Sequence, residues 1–177
     1  MTATIAPASR QDLPEILKIY NEVIRTSTAV YTEIELTAER GAAWFEAKRA
    51  AGLPFIVAKD ESGVTGFGTF GEFRAPPCYQ HSVEHSVHVR SDRRRQGIGR
   101  QLVIELMKQA AAMHKHVMIA GIDADNAVSI KLHESLGFSN VGHFHEVGFK
   151  FGRWLDLVFL HCRLTATTQL TTVKPPA

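Results

Sequence analysis

The chain has 177 residues, 45% hydrophobic and 21% charged, which suits one globular domain with a sizeable core. Its formal net charge of +2 leaves no surface-wide basic field, so nucleic-acid binding over the whole surface is excluded as an expectation. The two cysteines, Cys78 and Cys162, lie far apart with no Cys-x-x-Cys spacing, which argues against a disulfide framework and for a reduced, intracellular chain.

Thr2 to Ala6 reads as a short first strand. Ser9 is followed by Asp12 three positions on, then by Leu13, Ile16, Leu17, Tyr20, Val23 and Ile24 at helical spacing. This predicts a helix from about Gln11 to Arg25, with Pro14 in the tolerated first turn. Thr26 to Leu36 has no sustained period and reads as a loop with room for one helical turn. Thr37 caps a second helix running through Trp44, Phe45 and Ala50, which Gly52-Leu53-Pro54 ends. Phe55 to Ala58 is a strand, Asp60 to Gly63 a turn, and Val64 to Phe73 the hairpin partner. Gly66, Gly68 and Gly71 weaken that partner but leave room for close packing or a bulge. Arg74 to Gln80, with Pro76-Pro77, is a loop.

The most informative stretch runs from Val83 to Ala112. Val83, His85, Val87 and Val89 alternate with Glu84, Ser86 and His88, giving a strand with one apolar and one polar face. A basic, glycine-containing turn follows, and the period then becomes helical, with apolar rows at Ile98, Leu102, Leu106 and Ala110 and at Val103 and Met107. Val117 to Ile122 is an apolar run that reads as a buried strand. Asn126 caps a helix through Ile130, Leu132 and Leu136, with Gly137 at its C-terminal end. Phe138 to Phe149 and Leu155 to Leu164 are two more strands, and residues 165–177 read as a disordered tail.

The order β-α-α-β-β-β-α-β-α-β-β predicts an α/β fold of mixed type, a single domain over residues 1–164 built on a mixed sheet with helices on both faces. The N-terminal stretch lacks a basic start and a continuous apolar core, and no window approaches the roughly 18 apolar residues of a membrane span. A soluble, cytoplasmic protein with no membrane partner is expected.

Gly97 and Gly99 sit where the long helix begins, so backbone N–H groups without intrahelical acceptors can approach an anion, and the helix dipole favours it. A phosphate is the natural ligand. The loop is not a P-loop, because Arg100-Gln101 follows Gly99, and not a dinucleotide fingerprint, because Leu102 stands where a third glycine is needed. Taken alone, it also reads as a solvated basic turn capping a surface helix.

Arg94-Arg95-Gln96-Gly97-Ile98-Gly99 matches in order and spacing the Arg/Gln-x-x-Gly-x-Gly/Ala signature of the GCN5-related N-acetyltransferase (GNAT) superfamily, and the element order is that superfamily's order. The chain resembles its phosphinothricin and methionine sulfoximine N-acetyltransferases over nearly its whole length. The resemblance is carried by Ile19-Tyr20-Asn21, by residues 82–89 before the loop, by residues 129–138 and by residues 148–156. It implies the acyl-CoA N-acyltransferase fold, with a central, mostly antiparallel sheet, and an acetyl-CoA-dependent acyltransferase.

The reaction it implies is attack of a primary amine on the thioester, which needs the amine deprotonated and hence a general base. Glu84 lies on the polar face of the strand before the loop and matches the carboxylate proposed as base in the resembled enzymes; from position alone, a carboxylate paired with a neighbouring arginine is an equal reading. The resemblance implies that the main chain of Val87, His88 and Val89 pairs with the pantetheine arm. Arg94, Arg95, Gln96, Gly97, Ile98, Gly99 and Arg100 would hold the pyrophosphate, and Asn126 and Ser129 would contact the cofactor, although Asn126 is also simply a helix cap. His133 stands where many members have Tyr near the departing thiolate, so an imidazolium there is expected to protonate the thiolate or contact the sulfur.

Glu72, Phe73 and Arg74 fall in the region that the resembled enzymes use for substrate, and the Arg74 guanidinium suits a carboxylate or phosphinate; a surface arginine before a Pro-Pro loop is the plain alternative. The following Ala75-Pro76-Pro77-Cys78 has no match in the family's pattern. His143 and His145 share a strand face, but with no third ligand of clear spacing they read as structural, so no metal is expected. The expected activity is acetylation of the α-amino group of phosphinothricin, methionine sulfoximine or its sulfone. The alternatives are acetylation of protein N-termini or lysines, and nucleic-acid binding through Arg90 to Arg100. The resemblance further implies a homodimer.

Overall fold

A computed structural model describes residues 3–164, so the predicted tail lies outside the described residues. The elements occur in the predicted order: β1 (Thr4–Pro7), α1 (Leu13–Thr26), α2 (Ala38–Ala50), β2 (Phe55–Asp60), β3 (Gly63–Glu72), β4 (Ser82–Val89), α3 (Ile98–Ala112), β5 (Val117–Asp123), α4 (Ala127–Glu134), β6 (Ser139–Lys150) and β7 (Arg153–Arg163). Helix α1 starts two residues later than the spacing predicts, because Arg10–Asp12 forms a separate 3-10 turn. The Asp12 carboxylate ties that turn back to Ser9, accepting from its N–H at 2.8 Å and its hydroxyl at 2.9 Å. Strands β6 and β7 reach closer to each other than predicted, because Phe151 (φ 52°) and Gly152 (φ 73°) close the hairpin as a two-residue turn with both φ values positive.

The strands form one sheet in the order β1-β2-β3-β4-β5-β7-β6, antiparallel throughout except for β4 beside β5. On one face Ile16 and Ile19 of α1 and Phe45 of α2 pack on Phe55, Val57, Val64 and Phe67. On the other, Ile98, Leu102, Leu106 and Ala110 of α3 pack on Ile56, Ala58, Phe70, Val83 and Met118, joined by Ile130 and Leu132 of α4. Strand β2 shows the logic plainly: its odd positions fill one core and its even positions the other. Both expectations for the glycines of β3 appear: a β-carbon at Gly66 would come 2.9 Å from the His88 carbonyl oxygen, and a bulge falls beside it at Thr65, passed over where the register steps from Ala58–Gly66 to Lys59–Val64.

The predicted polar face of β4 is not uniformly a solvent face: Ser86 is exposed and Glu84 half-buried, but His88 is covered. His88 is only 8% exposed, with the rings of Tyr20 and Phe67 each 5.3 Å from it, because α1 covers that side of the strand.

The parallel pairing of β4 with β5 is short. It runs only from Ser82–Glu84 against Val117–Ile119. Beyond Glu84, β4 stays on β3 as far as Val89, while β5 follows β7 as far as Asp123. The sheet therefore opens into a wedge, with one backbone edge of residues 85–89 facing it.

Lys150 braces one wall of that wedge. It is 1% exposed at the end of β6, where its ammonium donates to the carbonyls of Ser27 (2.7 Å) and Val30 (2.8 Å) and lies 4.7 Å from the centre of the Phe151 ring. Burial lowers its pKa, and the charge of Glu33 works the other way. The last hairpin is thus fastened to the segment between α1 and α2. Lys150→Met would leave two carbonyls without a donor and is expected to cost about 1–3 kcal/mol in urea unfolding, with faster amide exchange over residues 27–36 than elsewhere.

Candidate active site

The wedge holds a cleft of about 350 Å³. Strand β4 contributes Glu84 to His88, β5 contributes Ala120 to Asp123, and α4 contributes Ser129 and His133 together with its cap Asn126; Ala29 to Tyr31 close one side. A larger open hollow of about 540 Å³ lies between α1 and the Arg90–Asp92 turn. None of the site residues predicted from sequence lines it, and two of its charged groups, Arg90 and Asp92, are paired with each other at 2.7 Å.

Glu84 is the last β4 residue paired with β5 and is half-buried. Burial raises its pKa above the ordinary carboxylate range, while the positive charge of Arg74 pulls the other way. The carboxylate lies over Gly121, where a β-carbon would come 2.9 Å from Glu84 Oε1, so the absence of a side chain on β5 makes room for it. The reading of Glu84 as an arginine-paired surface carboxylate does not hold: among the described residues it has no ion-pair partner, and Arg74 acts on it only at a distance. Arg74 itself is exposed and stacks on Phe73, 4.9 Å from the ring centre. Glu72 ends β3, Phe73 and Arg74 follow it, and none of the three residues lines the cleft.

Beneath the cleft, His85 and His133 face each other with their Nε2 atoms 3.1 Å apart and their rings stacked. The proton positions follow from the partners. His133 Nδ1 lies 2.7 Å from the carbonyl oxygen of Ser129, which only accepts, so Nδ1 carries the hydrogen. A neutral His133 then accepts at Nε2, and His85 donates to it. This assigns the bare acceptor of His85 to Nδ1, the atom that is buried without a partner.

Burial pushes His85 down to about 3, helped by His133 and His88, and His88 down to about 4, helped by Arg94. His133 is also lowered by burial, opposed by its bond to Ser129. The expected imidazolium at His133 is therefore disfavoured: at 4% exposure the ring is not the surface histidine that a lone helix position suggests, and both its nitrogens are engaged.

Asn126 caps α4 as predicted, its side-chain oxygen accepting from Ser129 N–H at 3.1 Å. Before α3, Arg95 (φ 58°) and Gly97 (φ 79°) both adopt left-handed backbone, which turns successive N–H groups toward one side. The first helical bond is Gln101 N–H to the Gly97 carbonyl at 3.0 Å, and among the described residues the N–H groups of residues 94–100 have no protein acceptor. A β-carbon at Gly99 would meet only Val89 at an ordinary 3.6 Å. Within the basic run, Arg90 pairs with Asp92, and Arg93 with Asp60 and Asp92, whereas Arg94, Arg95 and Arg100 are exposed.

Sequence reasoning missed Tyr31, which lay in a segment without period. Its hydroxyl donates to the Asp156 carbonyl at 2.8 Å and lies 3.4 Å from Asp123 Oδ2; burial and those carboxylates push its pKa up to about 12.

A family model of the acetyltransferase (GNAT) domain matches residues 5–159. The chain belongs to the GNAT acetyltransferase family. It is accordingly an acyltransferase, and its relatives agree. An L-methionine sulfoximine/L-methionine sulfone acetyltransferase of Pseudomonas paraeruginosa is 44% identical over 168 residues, 94% of this chain and 98% of that protein. A GNAT superfamily phosphinothricin acetyltransferase from Sinorhizobium meliloti, solved in complex with acetyl-CoA, superposes with a TM-score of 0.90 at 36% identity, covering 99% of this chain and 94% of the other. A ribosomal-protein-alanine N-acetyltransferase from Brucella melitensis gives a TM-score of 0.89 at 42% identity, covering 90% and 99%. Among the described residues of this GNAT chain, no helix is long and apolar enough to cross a membrane.

The buried histidines couple this site to acid stability. The folded pKa of His88, about 4, lies below its ordinary 6.5, so protonation favours the unfolded chain; stability is complete above about 6.5 and declines as pH falls toward 4. The thermal midpoint is expected to drop between about pH 7 and about pH 5, and less steeply in His88→Phe, as calorimetry at the two pH values would show.

Proposed function

We propose that this enzyme transfers the acetyl group of acetyl-CoA to the α-amino group of a small amino-acid analogue of the methionine sulfoximine, methionine sulfone or phosphinothricin type, with Glu84 as general base. One observation carries the reading: a half-buried carboxylate of raised pKa, without an ion-pair partner among the described residues, stands where the sheet opens. The names and cofactor of the relatives supply the substrate class.

The N–H groups of residues 94–100 hold the diphosphate, helped by the exposed side chains of Arg94, Arg95 and Arg100. The pantetheine arm lies along the open edge of Val87, His88 and Val89, with Asn126 and Ser129 on the opposite bank, and the thioester reaches Glu84. Glu84 takes a proton from the amine, directly or through one water, as the nitrogen attacks the thioester carbon. A β4 N–H stabilises the oxyanion, the C–S bond then breaks, and the CoA thiolate takes its proton from solvent. His133 is neutral and serves as a positioning residue that fixes His85 in the cleft floor. Arg74, with Glu72 and Phe73, meets the substrate carboxylate at the rim, a task that its forked donors suit.

Acetylation of a protein N-terminus is the second reading, favoured by the name of the Brucella melitensis relative. The small cleft closed by Ala29 to Tyr31 fits an amino acid better than a peptide. Nucleic-acid binding loses support because Arg90 and Arg93 are committed to Asp60 and Asp92. A homodimer is part of the proposal, and the exposed pair Phe149 and Trp154, packed on each other with ring centres 5.1 Å apart on the last hairpin, offers apolar surface to a second copy of the chain. A cytoplasmic location remains part of the proposal.

In a thiol-release assay, methionine sulfoximine and phosphinothricin should turn over and alanine-initiated peptides should not. Glu84→Gln is expected to lower kcat/KM at neutral pH by about 10²–10⁴-fold, with much of the loss recovered at high pH, where the amine deprotonates unaided. An unchanged rate removes Glu84 from the role of base.

A further inference from the structure

The sequence offers His143 and His145 on one strand face and no third ligand. The fold supplies one. Between the pairs Phe144–Leu157 and Gly148–Leu155 the β6–β7 register slips, so that residues 145–147 of β6 bulge opposite Asp156 of β7. Asp156 Oδ1 accepts the N–H of Glu146 at 2.8 Å, which fixes the carboxylate and holds Glu146 in its left-handed conformation (φ 52°). The other oxygen, Oδ2, faces both imidazoles, 3.0 Å from His143 Nε2 and 2.8 Å from His145 Nδ1, and the two rings pack with centroids 4.2 Å apart. The three donor atoms lie within 4.8 Å of one another.

We propose that His143, His145 and Asp156 bind a divalent transition-metal ion of the zinc class, at a site separate from the acetyl-transfer cleft. Two imidazoles and a carboxylate suit zinc, copper or nickel rather than calcium or magnesium, which prefer oxygen alone. Each imidazole nitrogen already lies within 3.0 Å of the carboxylate oxygen, and the two nitrogens, within 4.8 Å of each other, need to draw together by roughly half an ångström to share one ion at roughly 2.1 Å, which their exposed side chains permit. Each ring would then carry its hydrogen on its other nitrogen. The Glu146 N–H, which orients the carboxylate, is the outer support that such sites use. The two histidine side chains are 41% and 75% exposed, so water can complete the coordination. The ion would brace the bulge from which the Asp156 carbonyl holds the Tyr31 hydroxyl in the cleft wall.

Titration of the untagged, full-length chain with Co²⁺, followed by its visible absorption, tests this. The expected result is a ligand-field band saturating at one ion per chain, displaced by Zn²⁺ and lost in both His143→Ala and His145→Ala. Circular dichroism and the metal-free thermal midpoint confirm that each variant is folded, and Zn²⁺ should raise the midpoint only of the unsubstituted chain. Absence of a band, or a band that survives in both variants and therefore belongs to other surface histidines such as His114 and His116, overturns the proposal.

Discussion

The backbone pairing between β4 and β5 ends at Glu84, and the cleft exists because it ends there. A longer ladder would close the sheet and cover the edge of residues 85–89. Backbone polar groups left beside a cavity must find water or a ligand, so an unpaired strand edge of this kind is a standing demand for an extended polar partner. The end of the pairing also sets the place of Glu84, the last β4 residue held by both neighbouring strands and the first to look into the opening.

The walls of the opening are stiff for reasons visible in their bonding. His133 is locked between the Ser129 carbonyl and His85, Asn126 caps the helix that carries both Ser129 and His133, and Lys150 fastens the Ser27–Val30 segment to the end of β6. Burying these polar groups costs desolvation, and the depressed histidine pKa values are the signature of that cost. The return is a floor and sides held in place by their own hydrogen bonds.

Much of this was legible in the chain. The two apolar rows of α3 are buried as their spacing predicts, Asn126 and Thr37 cap the helices assigned to them, and the glycine turn before α3 leaves its amides free. What could not be read depends on contacts between distant segments. Alternation along β4 shows which side chains share a face, but not that α1 would roof the second face and bury His88. His85 and His133 are 48 residues apart and meet only through the fold, whose burial of His133 lowers its pKa and works against the expected imidazolium. Asp156 joins His143 and His145 only because the β6–β7 register slips, and a slip leaves no periodic trace. Tyr31 belongs to a loop whose position is set by Lys150, far along the chain.

In the proposed function, the turn before α3 grips the diphosphate of acetyl-CoA, and backbone amide resonances would report on that contact directly. Titrating the ¹⁵N-labelled chain with acetyl-CoA should move the amide signals of Gln96 to Arg100 most strongly, together with those along the open edge of β4. Saturable binding that leaves the Gln96 to Arg100 amides in place would contradict it, and so would no binding at all.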